Sequence, residues 1–275
     1  MLSCGRLALL ALALALSLGC GDKKKDKSDD NKASVDSSAP APAAVQGLQA
    51  IPASASAVIG INVSKLATSP IVLRGVDRMF ARDATLKEDL QAVLDTCSLD
   101  PKKDLESATI ALVPTKSGSD ALLVAKGRFD ESKITACLGR FMSDKGGKLL
   151  VVQWEGRALY HQVLSASPDG VWLSFGSSDT VIVSSGREAL ELALGGGPKL
   201  PAAKEGLAQL LPRVRTEAAL WGLAHIEEAV GAGLVAATGG QVQPAKAIVG
   251  AAELSEGLSV SLDVAMASEE AVSYT

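Results

Sequence analysis

The chain has 275 residues with 27 basic and 31 acidic side chains, for a formal charge of −4. That mild acidity, with no basic stripe, argues against nucleic acid as a partner. Aliphatic residues dominate and aromatics make up only 3%, so platforms for stacking bases or sugars have few candidate positions.

Arg6 is followed by an aliphatic run from Leu7 to Leu18, which stops at Gly19-Cys20 just before Asp22-Lys23-Lys24-Lys25. The run is about twelve residues, the length of a signal-peptide core and short of the roughly 20 that span a bilayer. Ser17-Leu18-Gly19-Cys20 resembles the cut site of bacterial lipoproteins, where a thiol after a small residue is acylated and becomes the new N-terminus. Leu16 stands one place early for that pattern, and Leu18 is bulkier than usual. The resemblance implies a signal peptide over residues 1–19 and a lipidated Cys20. Ordinary cleavage that leaves Cys20 as a free thiol is the alternative. One acyl chain, at roughly 0.8 kcal/mol per buried methylene, holds only marginally, whereas two or three anchor stably. Asp22 lies one place beyond the aspartate associated with inner-membrane retention. The resemblance therefore implies an outer-membrane anchor facing the periplasm.

From Gly21 to about Val45 the composition changes. Five lysines and five aspartates are mixed through residues 22–36, and Ala39-Pro40-Ala41-Pro42-Ala43-Ala44 follows. With no aromatic and almost no apolar side chain, residues 20–46 cannot offset the entropy of ordering and read as a solvated tether. Some 25 flexible residues span roughly 25–30 Å on average. The balanced charges argue against a polybasic membrane patch.

The body follows in chain order. Ala57–Val63 alternates as a strand, and Ile71–Phe80 and Leu86–Cys97 carry helical apolar faces, with Leu90 and Leu94 at helical spacing from Leu86. Ala108–Pro114 and Ala121–Phe129 read as strands around the turn 116–119. Asp130 is placed to cap a helix over Ile134–Met142, which Gly146-Gly147 ends. Leu149–Trp154 and Ala158–Leu164 form a hairpin across Glu155-Gly156-Arg157. Asp169-Gly170 turns into Val171–Phe175, and Gly176-Ser177-Ser178-Asp179 turns into Thr180–Ser184. A helix over Arg187–Leu194 closes at Gly195-Gly196-Gly197-Pro198.

Beyond Gly197 the opening is echoed. Gly206-Leu207, Pro212 and Ala219–Leu223 parallel Gly47-Leu48, Pro52 and Val58–Ile61. Helical stretches are expected at Ile226–Ala237 and Pro244–Ala252, and a strand at Gly257–Ala265. Short loops between successive strands favour antiparallel pairing. The expected fold is α+β, an antiparallel sheet of hairpins with helices packed on one face. Its modules are residues 47–197 and a shorter 198–275, the latter alternatively an extension of the first.

Besides Cys4 in the leader and Cys20, two cysteines remain, Cys97 and Cys137. In an exported protein a leftover pair is a disulfide candidate; two buried free thiols are the alternative. Cys97-Ser98-Leu99-Asp100-Pro101, Asp104-Leu105-Glu106-Ser107, Val124-Ala125-Lys126-Gly127-Arg128-Phe129-Asp130 and Cys137 resemble an arrangement that recurs in predicted lipoproteins of myxobacteria and related bacteria. The shared part covers roughly residues 50–190. The resemblance implies an envelope location and a paired-cysteine module, and no activity.

Chemical motifs are weak. Gly231-Ala232-Gly233-Leu234-Val235-Ala236 matches a dinucleotide pattern, but Ile226–Val230 stands where the preceding strand should end, so close helix packing explains the glycines better. Gly146-Gly147-Lys148 lacks the first glycine of a phosphate loop and is followed by Leu149. His161 and His225 are the only histidines, and no HExxH or GxSxG occurs. Ser177-Ser178-Asp179 reads as a turn. Trp154, Trp172 and Trp221 sit in apolar runs and read as core or sheet-face residues. No catalytic, cofactor or metal site is expected. The sequence thus points to a non-catalytic envelope lipoprotein that binds a partner protein or envelope polymer. Alternatives are a carrier of a hydrophobic, lipid-like ligand and an envelope hydrolase whose carboxylates meet only in the fold.

Overall fold

A computed structural model describes residues 42–164, 167–226, 245–254, 257–266 and 272–274. The elements run β1 (Ala57–Asn62), α1 (Val63–Leu66), α2 (Pro70–Arg82), α3 (Ala84–Cys97), α4 (Pro101–Asp104), β2 (Leu105–Thr115), β3 (Gly118–Gly127) and α5 (Glu131–Asp144). They continue as β4 (Lys148–Trp154), β5 (Arg157–Leu164), β6 (Ser167–Ser177), β7 (Thr180–Ser184) and α6 (Arg187–Leu194). The chain then forms β8 (Leu220–His225), β9 (Ala245–Glu253), β10 (Ser259–Met266) and β11 (Val272–Tyr274). Short 3-10 turns at Gly47–Ala50, Leu200–Ala202, Gly206–Gln209 and Leu211–Arg213 fill the connections.

Among the described residues, eleven strands join one antiparallel sheet in the order β11-β10-β9-β8-β1-β2-β3-β7-β6-β5-β4. The α+β class and its hairpins follow the turn spacing of the sequence: β2–β3, β4–β5, β6–β7 and β9–β10 are chain neighbours that pair. Two joins are long-range: β3 pairs with β7 from Leu122↔Ser184 to Lys126↔Thr180, and at the centre β1 pairs with β8 from Ala57↔Ala224 to Ile61↔Leu220.

Alternation along the strands sends one set of side chains to each face. Val58, Val113, Leu122, Val124, Leu159, Ile182, Leu223 and Val249 are buried together with Leu190, Ala193 and Leu194 of α6. This is the main core. The opposite face carries a smaller cluster, in which Ile61 and Ala108 pack with Val63 and Leu66 of α1. Helix α5 lies on that opposite face as well, since the Tyr160 hydroxyl, one residue after Leu159 on β5, donates to Glu131 Oε1 at 2.8 Å. The helices therefore divide between the two faces.

Two local expectations are corrected. Pro244–Ala252, rich in alanine and expected helical, contains most of β9, whose buried Ala247, Val249 and Ala251 alternate with half-buried neighbours. The packed face of the sheet overrides alanine's helix preference. Asp169-Gly170, expected to turn, lies inside β6. Gly170 takes φ +59° there, next to the register shift between Gln162 and Leu164, so its conformation serves a bulge. All but the first residue of the helix expected at Ile226–Ala237, and the glycine motif 231–236, lie outside the described residues, as do the leader, Cys20 and most of the tether.

The chain enters the body at a fixed point. The Val45 amide donates to the Gly176 carbonyl at 2.9 Å. The Arg157 guanidinium donates to the carbonyl of Ala43 and, at 3.4 Å each, to those of Phe175 and Gly176. Burial pushes the Arg157 pKa down from its ordinary value.

Candidate binding cleft

Cys97 and Cys137 come together as a disulfide between the end of α3 and the middle of α5, with Cα atoms 5.1 Å apart. The bridge fastens the α2–α3 pair, whose own core is Leu90 and Leu94 against Met79, Phe80 and Leu99, to the helix lying against β4 and β5. Asp130 caps α5 as its position indicated: Oδ1 accepts from the Lys133 amide at 3.2 Å and the Ser132 hydroxyl at 2.7 Å. The Ser132 hydroxyl, then the Lys133 amide and ammonium, hold its carboxyl down at a pKa of about 2. Gly146, at φ +69°, ends the same helix, which accounts for Gly146-Gly147-Lys148 without a phosphate.

The remaining motif residues are scattered. His161 lies on β5 and His225 at the end of β8. Ser177 and Thr180 both donate to Asp179 Oδ1, at 2.5 and 3.0 Å, closing the β6–β7 turn and lowering the Asp179 pKa, the Ser177 bond most. Among the described residues, no three His, Cys, Asp or Glu side chains gather as a metal site.

One cleft does collect chemistry, next to α6. This helix buries Ala189, Leu190, Ala193 and Leu194 in the main core, which leaves Arg187, Glu188 and Glu191 on its outer surface. Arg187 Nε donates to Glu191 Oε1 at 2.6 Å, and Glu188 Oε2 accepts from the Lys116 amide of the β2–β3 turn at 3.2 Å. The Arg187 guanidinium also lies 5.6 Å from the ring of Trp172, which stacks on His161 at 4.0 Å. At the C-terminal end the Lys199 ammonium donates to the free carbonyls of Leu192 and Ala193 at 2.5 and 2.7 Å. Burial depresses its pKa.

Between this surface, the β2–β3 turn and the end of β4 lies an open cleft of about 570 Å³, lined by Lys116, Trp154, Arg187, Glu188, Glu191 and Gly197 among others. It offers an indole beside two carboxylates and two cations. Its parts come from positions 116, 154 and 187–197, so no local motif announces it. Trp154, expected in the core or on a sheet face, is half-buried on its sheet face and lines this cleft. Trp221 is in the main core.

Among the described residues, no helix is long and apolar enough to cross a membrane. No family model matches the chain, and no curated protein matches it. Its fold is similar to that of solved structures of TP0453. The crystal form III structure gives a TM-score of 0.50 at 12% identity, over 80% of this chain and 79% of that one. Crystal form I gives 0.49 at 11% identity, over 83% and 81%. At such identity the likeness concerns the fold alone.

Proposed function

We propose that the chain is an envelope-anchored, non-catalytic binding module of the paired-cysteine lipoprotein kind its sequence resembles. Acylated Cys20 holds it to the outer membrane, the tether spaces the body from the bilayer, and the α6 cleft takes a segment of an envelope polymer. The observation that carries this reading is the placement of Trp154 beside Glu188 and Glu191 in an open cleft. A sugar ring has an apolar face that rests on an indole and hydroxyls that donate to carboxylates. Each carboxylate already accepts a hydrogen bond from the protein, Glu188 from Lys116 and Glu191 from Arg187, which suits fixed acceptors better than an acid and base poised for hydrolysis.

The test is co-sedimentation of the mature, membrane-extracted protein with isolated envelope polysaccharide. Binding is expected, and Trp154→Ala should weaken it at least tenfold at a temperature where circular dichroism shows the variant still folded. Absence of binding, or equal binding by the variant, overturns the reading.

A second reading, a carrier of a lipid-like ligand, is favoured by the other sheet face. There Leu262, Gly250, Gly222, Ile59 and Ile110 are aligned across β10, β9, β8, β1 and β2. Ile59, Leu112, Val260 and Leu262 on this face are exposed. Exposed aliphatics gathered on one face in this way are the kind of surface that marks contact sites. A fluorescent fatty acid should bind the wild type and be lost in Ile59→Asp if this face carries the function.

A further inference from the structure

β4 is the last strand of the sheet and is bonded to β5 on one side only. Its sequence, Lys148-Leu149-Leu150-Val151-Val152-Gln153-Trp154, is long and apolar for an edge. Such edges are normally shortened, charged, bulged or covered, because their free N–H and C=O groups pair with other chains. None of these devices interrupts β4: its register with β5 is unbroken, and its single charge, Lys148, stands at one end. Leu150 is 46% exposed and Val151 57%, on opposite faces of the sheet. Among the described residues, none makes a backbone hydrogen bond to its outer side.

The turn geometry identifies which groups point outward. Glu155 and Gly156 form a two-residue hairpin loop with φ of 47° and 78°, which makes Trp154 and Arg157 a hydrogen-bonded pair. Alternation along an antiparallel ladder then turns the amides of Lys148, Leu150, Val152 and Trp154 toward β5. Those of Leu149, Val151 and Gln153 face outward.

We propose that this edge docks on the β4 edge of a second copy of the chain, antiparallel, about a twofold axis through Val151. In that register Val151 faces its own equivalent and Leu149 faces Gln153, so every outward N–H and C=O of these three residues finds a partner. Leu150 packs against Val152 in the close, non-hydrogen-bonded positions. Lys148 falls opposite Trp154, where an ammonium over an indole is favourable, and no like charges meet. A one-residue slip sets outward amides against inward ones and forms no ladder. A two-residue slip leaves part of the strand unpaired. The strand is thus complementary to itself in one register. The contact is of the small, weak kind, so on the proposed membrane anchor it depends on how densely copies are held on one surface. The pairing shares Trp154 with the cleft, but its ladder runs through Leu149, Val151 and Gln153, none of which lines that cleft.

The test places a benzophenone-bearing amino acid at Gln153 of the full chain, photolysed in native membranes. Expected is a product of twice the mass, linked to residues 148–150 of a second copy. Val151→Pro removes one outward N–H and no bond to β5, and should reduce that product at least tenfold, whereas Val151→Thr should retain it. Val151→Lys, which sets two like charges face to face across the axis, should give the same loss and guards against misfolding of the proline variant. Linkage to the chain's own tether, linkage to a different protein, no product, or a product unaffected by both Val151→Pro and Val151→Lys overturns the proposal.

Discussion

Gly60 and Trp221 are cross-strand partners at the centre of the sheet, and the indole of Trp221 occupies the space a side chain at residue 60 would need. A Cβ built on Gly60 would lie 1.9 Å from Cε2 of the ring. Neither β1 nor β8 can yield without disturbing the main core that Val58, Leu223 and Trp221 share. Gly60→Ala should therefore destabilise by about 3 kcal/mol through overpacking. Trp221→Leu in the same chain should recover part of the loss, as read by chemical denaturation.

The Cys97–Cys137 bridge closes a segment of 40 residues, for which the loop-entropy account gives about 4 kcal/mol. Cys97→Ala with Cys137→Ala should lower stability by up to that amount. Because α2 and α3 share few contacts with the sheet, hydrogen exchange should accelerate most there.

Asp130 sets an acid limit on α5. Its carboxyl ionises at about 2 in the folded chain against an ordinary 3.8. Below pH 4 the unfolded chain takes up a proton that the folded chain refuses, so stability is present above that pH and is lost as pH falls toward 2. In Asp130→Asn the melting temperature should depend less on pH across this window.

The two faces of the sheet should differ in tolerance. Leu122 is fully buried in the main core, and Leu122→Ala should cost about 3 kcal/mol. Leu262 is exposed on the opposite face, and Leu262→Ser should change stability by less than about 0.5 kcal/mol. Matched denaturant titrations decide this.

Mass spectrometry of the membrane-extracted protein should find a mature chain starting at Cys20 with acyl groups on that residue. Cys20→Ala should release the protein from the membrane fraction. An N-terminus at Met1 would remove the anchor.

The hairpins were readable because turn chemistry is local. Glu155-Gly156 and Ser177-Ser178-Asp179 fix their strands through a few bonds within the turn. Asp130 and Gly146 bracket α5 for the same reason. β9 was not readable, since Ala245–Glu253 favours a helix in isolation and becomes a strand only where Ala251 and Val249 meet the core beneath β8. The cleft was invisible because Trp154 and Glu188 come to one cleft only after β4 has joined the sheet edge and α6 has packed on the face that Trp154 shares.

The central join also orders events during synthesis. A chain made from its N-terminus completes β1, β2 and β3 long before residue 225 exists. At about 5–20 residues per second, the β8 side of β1 stays vacant for roughly 5–20 s after β2 is finished. In that interval the nascent protein carries a bare, aliphatic ladder with Gly60 at its middle. Shielding by a chaperone, or restraint in an extended state, is then what separates productive closure from clumping.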